Sequence, residues 1–367
     1  MLTICISTKD RPDFIFRTLS YYASIGYPHW ISIGDASTGD NVEQNRRTIQ
    51  FFGNKLKIQH YEFPNSSITE SNCWLLDTIQ TPYVACSNDS TFLIPNGLNR
   101  CIEFLENNAG YSAVHGLGTL FELKEDGVFG EIDRTGWYEG LANVEGNTGT
   151  QRLIHFLKNY SVTIYCVYRT QTWKDIWAGT ATIADRRIAS ELLPGCRSII
   201  YGKVKEIDCL YMVRHIHKKR YHLPDFFDWI AGEHWSASFK IFRNELLDAL
   251  VKQEHLALEQ AEAIIKQAVW EFFNRNSEAD YNDYYSRWNY SLWRIKEKLK
   301  RMIDHLTRLG DVSISCSMWK RFSLASLLNE RSPYNKDFMP VYKFITGGKL
   351  EEWKDTDREF ASMKDHG

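Results

Sequence analysis

Asp89 and its neighbours offer the first chemistry in this chain. In Tyr83-Val84-Ala85-Cys86-Ser87-Asn88-Asp89-Ser90-Thr91-Phe92-Leu93-Ile94-Pro95, a short apolar run ends in a polar loop and a proline then opens a helix. An aspartate at the carboxyl end of a strand stands where an open α/β sheet places its ligand. Two further polar loops follow apolar runs upstream, Thr8-Lys9-Asp10-Arg11-Pro12 and Asp35-Ala36-Ser37. In a parallel sheet all three would gather on one side. Downstream, Val213-Arg214-His215-Ile216-His217-Lys218-Lys219-Arg220 is either a ligand-facing cluster or a solvated basic strand end, and Glu191 and Asp185 stand on a helical stretch.

These residues need a scaffold, and the pattern supplies one. Strand-type runs at 2–7, 30–34, 57–61 and from Tyr83 alternate with helical stretches at 14–25, after Asp40 and near 71–79. Such alternation specifies an α/β fold with a mostly parallel central sheet flanked by helices. Pro95 starts a helix that ends near Asn107-Asn108-Ala109-Gly110, a good stop signal. Strands are expected at 111–115, 119–123, 162–168, 199–201 and 209–213, a turn at Glu125-Asp126-Gly127, and a Gly-rich loop over 130–150. Helices are expected at 151–158, 170–177 and 180–193. Beyond residue 225 the character changes to long helices at 238–252, 255–274 and 290–309. The division expected is therefore an α/β domain over 1–225 and a mainly helical C-terminal domain over 226–367. The last helix carries Leu292, Ile295, Leu299, Met302, Leu306 and Leu309 as a seam and a basic outer face. It suits packing on a neighbouring helix, a homodimer, or peripheral contact with an anionic membrane surface.

Composition narrows the field. A net charge of −2 over 367 residues gives no case for nucleic-acid binding. Eight scattered cysteines without CxxC spacing argue against a zinc ribbon and for reduced thiols. No run approaches 18 apolar residues and the N-terminus opens directly on a strand, so a cytoplasmic protein is expected, at most peripheral to the inner face of a membrane. Phosphate-loop, dinucleotide-fingerprint and nucleophile-elbow motifs are lacking.

The opening Ile4-Cys5-Ile6-Ser7-Thr8-Lys9-Asp10-Arg11-Pro12, the element Gly34-Asp35-Ala36-Ser37-Thr38-Gly39-Asp40, and Thr81-Pro82-Tyr83-Val84 through Asp89 to Pro95-Asn96-Gly97-Leu98 resemble the nucleotide loops and DxD region of GT-A-type glycosyltransferases of the family 2 kind. The resemblance covers about residues 2–215. It implies a Rossmann-like GT-A domain and transfer of a sugar from a nucleotide-diphosphate sugar to a glycan, lipid-linked or other hydroxyl acceptor, with surface polysaccharide synthesis a common setting. By the resemblance Thr8, Arg11, Asp35, Ser37, Asn88 and Asp89 bind the donor, Asp35 at the base. The alternative for Asp35 is a turn cap with Ser37. Glu191 is the expected catalytic base, with Asp185 in reserve, and a base acting in direct displacement gives inversion. Trp137, Tyr138 and Trp177 would lie near the acceptor.

The DxD element departs from the family pattern: Asn88, Asp89, Ser90 and Thr91 stand where relatives carry paired acids. Mn²⁺ or Mg²⁺ favours carboxylate oxygens, and one Asp with hydroxyls makes a weak site. Three readings stay open: Asp89 suffices with the diphosphate, His215 or His217 completes the site, or Arg and Lys meet the leaving-group charge. A non-catalytic nucleotide-sugar or glycan-binding protein on a degenerate fold is the competing function. A nucleotidyltransferase is a third, disfavoured by the lack of a Gly-rich basic phosphate loop.

Overall fold

A computed structural model describes residues 1–138, 143–219, 224–288, 318 and 320–347. Strand β1 (Leu2–Thr8) is buried along its whole length, as its apolar run requires of a central strand covered on both faces. It pairs in parallel with β2 (Trp30–Asp35) and with β4 (Tyr83–Asn88), and β3 (Lys57–Glu62) extends the parallel set beyond β2. The register puts Ser7 opposite both Gly34 and Asn88, so the three polar loops leave the sheet at the same height.

Past β4 the sheet becomes mixed. The short β8 (Val167–Arg169) runs antiparallel to both β4 and β6 (Tyr111–Leu123), which restores β6 to the direction of β4. β9 (Lys203–His215) lies parallel to β6, and β5 (Thr91–Leu93) closes the edge antiparallel to β9. β7 (Ile132–Tyr138) pairs with the far part of β6. Among the described residues the order is β3-β2-β1-β4-β8-β6-β9-β5, with β7 beside β6.

Helices cover both faces. α1 (Pro12–Ser24) and α4 (Pro95–Asn107) each begin with proline, whose missing N–H costs nothing in a first turn. α2 (Asp40–Phe52) and α3 (Ile68–Leu75) follow β2 and β3. Alternation along β1 and β4 splits the core: Cys5, Val84 and Cys86 face one layer with α5 (Gly149–Lys158), α6 (Thr170–Trp177) and α7 (Leu193–Tyr201). Ile4, Ile6 and Ala85 face the other layer with α1 and α4.

The C-terminal helical module joins both layers. α8 (Phe226–Ile230), α9 (Trp235–Glu254) and α10 (Leu258–Trp288) add Trp229, Leu246 and Phe272 to the first. α11 (Leu324–Leu328) and α12 (Asn335–Gly347) add Leu327 and Phe338 to the second. This is the mostly parallel sheet flanked by helices, with a C-terminal helical module, that the sequence pattern implies.

Several local expectations change. Residues 199–201 belong to the end of α7, because Ile199 and Ile200 fill the face of a helix and not of a strand. The strands expected at 111–115 and 119–123 form one strand that crosses Gly116 with register shifts. The loop expected over 130–150 contains β7, whose glycine Gly136 pairs opposite Leu120. The strand expected at 162–168 shrinks to three residues. The basic seam at 290–309 and Cys316 lie outside the described residues. The seven described cysteines form no disulfide, and six are buried.

Candidate active site

The three loops converge through direct bonds. Thr8 Oγ1 donates to Asp89 Oδ2 at 2.7 Å, and the Asp10 N–H donates to Ser37 Oγ at 2.8 Å. Asp10 holds a positive φ of 53°, a conformation that Asp tolerates better than most residues, and its carboxylate accepts from the Thr38 N–H at 3.0 Å. The strand ends therefore form one hydrogen-bonded platform.

Beside it lies a cleft of about 380 Å³, within the usual range for small-molecule sites. Ser7 from β1, Ser87 and Asn88 from the end of β4 and Ser90 from the loop after it line one part of it. Arg11 opens α1 at one side, and Arg214, His215 and His217 come from the end of β9. Arg186, Ser190 and Glu191, with Tyr165 and Trp177, complete the wall. Among the described residues that line it, Glu191 is the carboxylate, and Arg11, Arg186 and Arg214 are the arginines.

Pairing of β5 with β9 explains why residues so far apart in sequence meet. Thr91 stands opposite Arg214, and the His215 N–H donates to the Ser90 carbonyl at 3.0 Å. Arg214 is held between two aromatic rings, 5.7 Å from the Tyr138 centroid and 5.1 Å from that of Tyr165. Its Nη1 reaches the Tyr138 hydroxyl at 3.4 Å. Tyr165 in turn accepts from Asn88 Nδ2 at 3.4 Å and is anchored through its carbonyl by the Tyr211 hydroxyl at 2.7 Å. A guanidinium packed over aromatic rings in this way is partly ordered before it meets an anion.

Asn88 faces the cleft while Asp89, one residue on, turns away from it. The Asp89 side chain is fully buried, one oxygen on Thr8 and the other 3.0 Å from Arg11. Its carbonyl accepts from Thr18 Oγ1 at 2.7 Å. Burial pushes the Asp89 carboxyl up, and Arg11, Thr8 and Arg17 pull it back. Asp89 thus braces Arg11 from behind, and Thr8 is buried with it.

Asp35 and Ser37 also sit behind the cleft. Asp35 Oδ1 accepts from the Ser37 N–H at 2.9 Å, and Oδ2 accepts from Asn45 Nδ2 at 2.8 Å and lies 3.1 Å from His60 Nε2. Burial alone would raise its pKa, but His60, Ser37 and Asn45 together hold it below the ordinary value. This is the turn-capping geometry.

Glu191 lies in a π-helical turn, Ile188–Leu192, where the Leu193 N–H reaches back five residues to the Ile188 carbonyl. The next residue, Pro194, has no N–H to close an ordinary helical turn, which favours the wider winding. Ile188, Ala189 and Leu192 enter the core, leaving Ser190 and Glu191 for the cleft. Burial raises the Glu191 pKa against the pull of Arg187, Arg186 and Arg214. Asp185 is elsewhere: it accepts from the Ile188 N–H at 2.8 Å and from Trp229 Nε1 at 2.7 Å, tying the turn to α8.

The two histidines line the cleft as neutral rings. His215 stacks on Phe121 at 4.7 Å with Nδ1 3.0 Å from Arg17 Nη1, and burial with Arg17 pushes its pKa down to about 2. His217 packs 4.5 Å from Phe14, and burial with Arg11 and Arg17 lowers it to about 4. Arg214 and Tyr165 were not singled out from sequence. A buried-strand arginine beside His215 was a faint signal for the first; nothing marked the second.

A divalent cation, which the family pattern implies, fits these residues poorly. Asp89 is enclosed and ion-paired to Arg11. Asn88 Oδ1 already accepts from the Ser90 N–H, Ser90 Oγ and Thr91 Oγ1 at 2.8 to 3.1 Å. Among the described residues no group of three His, Cys, Asp or Glu is placed to hold a metal.

No protein-family model and no curated protein matches the sequence. Solved structures do match. The crystal structure of S. aureus TarS superposes with a TM-score of 0.50 at 13% identity, covering 75% of this chain and 43% of that one. TarS 1–349 in complex with UDP gives 0.49 at 15% identity, covering 75% and 71%. The mannosyltransferase PcManGT from Pyrobaculum calidifontis, in complex with GDP-Man and Mn²⁺, gives 0.42 at 10%, covering 82% and 80%. At such identity the first likeness is one of fold. It agrees with the mostly parallel sheet flanked by helices described above.

Proposed function

We propose that the protein is a glycosyltransferase of the family 2 kind that takes its sugar from a nucleotide-diphosphate sugar. The observation that carries this reading is the cleft itself: Arg11, Arg186 and Arg214 line it together with Glu191, whose pKa burial raises, at the carboxyl ends of parallel strands. Arg11, Arg214 and the Asn88 amide are suited to a diphosphate. Asp89 and Thr8 hold Arg11 in place, and Asp35 with Ser37 fixes the neighbouring loop.

In this reading an acceptor hydroxyl enters near Glu191, Trp177 and Tyr138. Glu191 takes the hydroxyl proton as the oxygen bonds to the anomeric carbon. The bond from that carbon to the phosphate oxygen breaks, and its electron pair leaves with the nucleoside diphosphate. A single displacement inverts the anomeric centre. A raised carboxylate pKa suits a base that must accept a proton near neutrality. Synthesis of a surface glycan is a natural setting.

Thermal-shift titration with UDP-, GDP-, dTDP- and CMP-sugars tests the reading. One of the diphosphate donors should raise the melting temperature in a saturable way, with the CMP-sugar, a monophosphate, as the control. Stabilisation by none of them contradicts it. Donor binding without any transfer or hydrolysis would instead favour a non-catalytic sugar-nucleotide binder, a reading supported by the changed acidic loop.

A further inference from the structure

We infer that the charge of the leaving diphosphate is met in this protein by Arg11 and Arg214, with Asn88 as a neutral hydrogen-bond partner, and not by a bound divalent cation. The inference rests on the reading of the cleft as a nucleotide-sugar site. Three observations carry it.

The first is the direction of the acidic loop. The carboxylate that the family pattern would give to a metal is fully buried, hydrogen-bonded through Oδ2 to Thr8 and ion-paired through Oδ1 with Arg11 at 3.0 Å. Freeing it for a cation would leave Arg11 without its brace and place two positive groups together. The second is that the side chain actually facing the cleft at this position is an amide. Its oxygen is filled by Ser90 and Thr91, so what remains for a ligand is an N–H donor, suited to a phosphate oxygen and not to a cation. The third is the build of Arg214. It is held between Tyr138 and Tyr165 on a strand paired with that same loop, so its guanidinium is partly ordered before any ligand arrives.

As the glycosidic bond to the phosphate breaks, the electron pair settles on a phosphate oxygen and the diphosphate gains one negative charge. Two preorganised guanidinium groups can stabilise that charge without a metal, since charge-assisted bidentate bonds are the strong ones.

The test is calorimetric titration of UDP, GDP and dTDP, each in excess EDTA and again with Mn²⁺, on the wild type, Arg214→Gln, Arg214→Lys and Asn88→Asp. Circular dichroism checks that each variant is folded. One nucleotide should bind equally in EDTA and in Mn²⁺. Arg214→Gln should weaken it about ten- to a hundredfold, and Arg214→Lys less, as expected for a hydrogen bond to a charged group. Asn88→Asp should weaken binding in EDTA and recover part of it with Mn²⁺. Wild-type binding that appears only with Mn²⁺ overturns the inference and leaves the functional reading standing. Failure of every nucleotide under both conditions overturns the reading and the inference with it. The wild-type comparison decides even where a variant fails to fold.

Discussion

At the scale of the residue, Glu191 and Asp89 are two carboxylates with opposite assignments. Glu191 reaches the cleft from a π-turn and carries a raised pKa. General-base help is worth about 10²–10⁴-fold in rate, so Glu191→Gln should lose that much turnover while keeping donor affinity. Steady-state turnover beside a binding titration checks this, and a fully active variant removes Glu191 from the role. Asp89 is a brace. Removing one partner of a buried pair costs about 3–5 kcal/mol, so Asp89→Ala should lower the urea midpoint sharply. An unchanged midpoint would mean that Arg11 does not depend on it. His215 and His217 carry lowered pKa values, about 2 and about 4, so the folded state holds them neutral. The unfolded chain takes up their protons below pH ~6.5. Their contribution is complete above that pH and declines as pH falls toward 4 and then 2. Melting temperature between pH 7.5 and 4.5 should therefore fall less steeply in His217→Gln than in the wild type, and parallel curves would contradict the assignment.

At the scale of the element, the site depends on how closely α4 approaches β9. A Cβ on Gly97 would stand 2.5 Å from the Leu210 carbonyl oxygen and 2.9 Å from the Tyr211 Cα, both backbone atoms that cannot swing aside. Gly97→Ala should cost about 1–3 kcal/mol and displace the loop that carries Asn88 and Ser90. Chemical denaturation measures the first and donor affinity the second; an undisturbed protein would show that the helix can shift freely. The parallel strands were legible in the sequence because β1, β2 and β4 are apolar runs that end in polar loops. Proline marked both α1 and α4. The stretch from 180 to 215 was less legible for a physical reason. Ile199 and Ile200 are β-branched, yet tertiary packing puts them in a helix, and a π-turn leaves no simple period. Asn88 and Asp89 are marked as a pair by the sequence, but which of them faces the cleft depends on strand pleat. The Arg214 contribution needed the β5–β9 pairing, which no local pattern reveals.

At the scale of the whole molecule, the helices beyond residue 225 are part of the core. Phe226, Trp229, Leu246, Leu250 and Phe272 pack with Trp173, Leu193 and Ile199 in one layer, and Asp185 bonds to Trp229. A fragment ending at residue 225 should lose near-UV dichroism and unfold without a sharp transition, since it would expose that layer. Cooperative unfolding of the fragment at the full-length midpoint would instead support an independent domain over 1–225. The sequence did show the change of character at 225, but it could not show that the later helices fill the sheet's own hydrophobic faces. Among the described residues no helix is long and apolar enough to cross a membrane.

The central claim is that one cleft binds a sugar nucleotide and presents it to Glu191. A crystal structure of the protein with whichever sugar nucleotide stabilises it most tests this directly. The account predicts the diphosphate between Arg11 and Arg214, against Asn88, with the anomeric carbon on the side of Glu191. A nucleotide bound away from these residues, or a sugar turned away from Glu191, would contradict it.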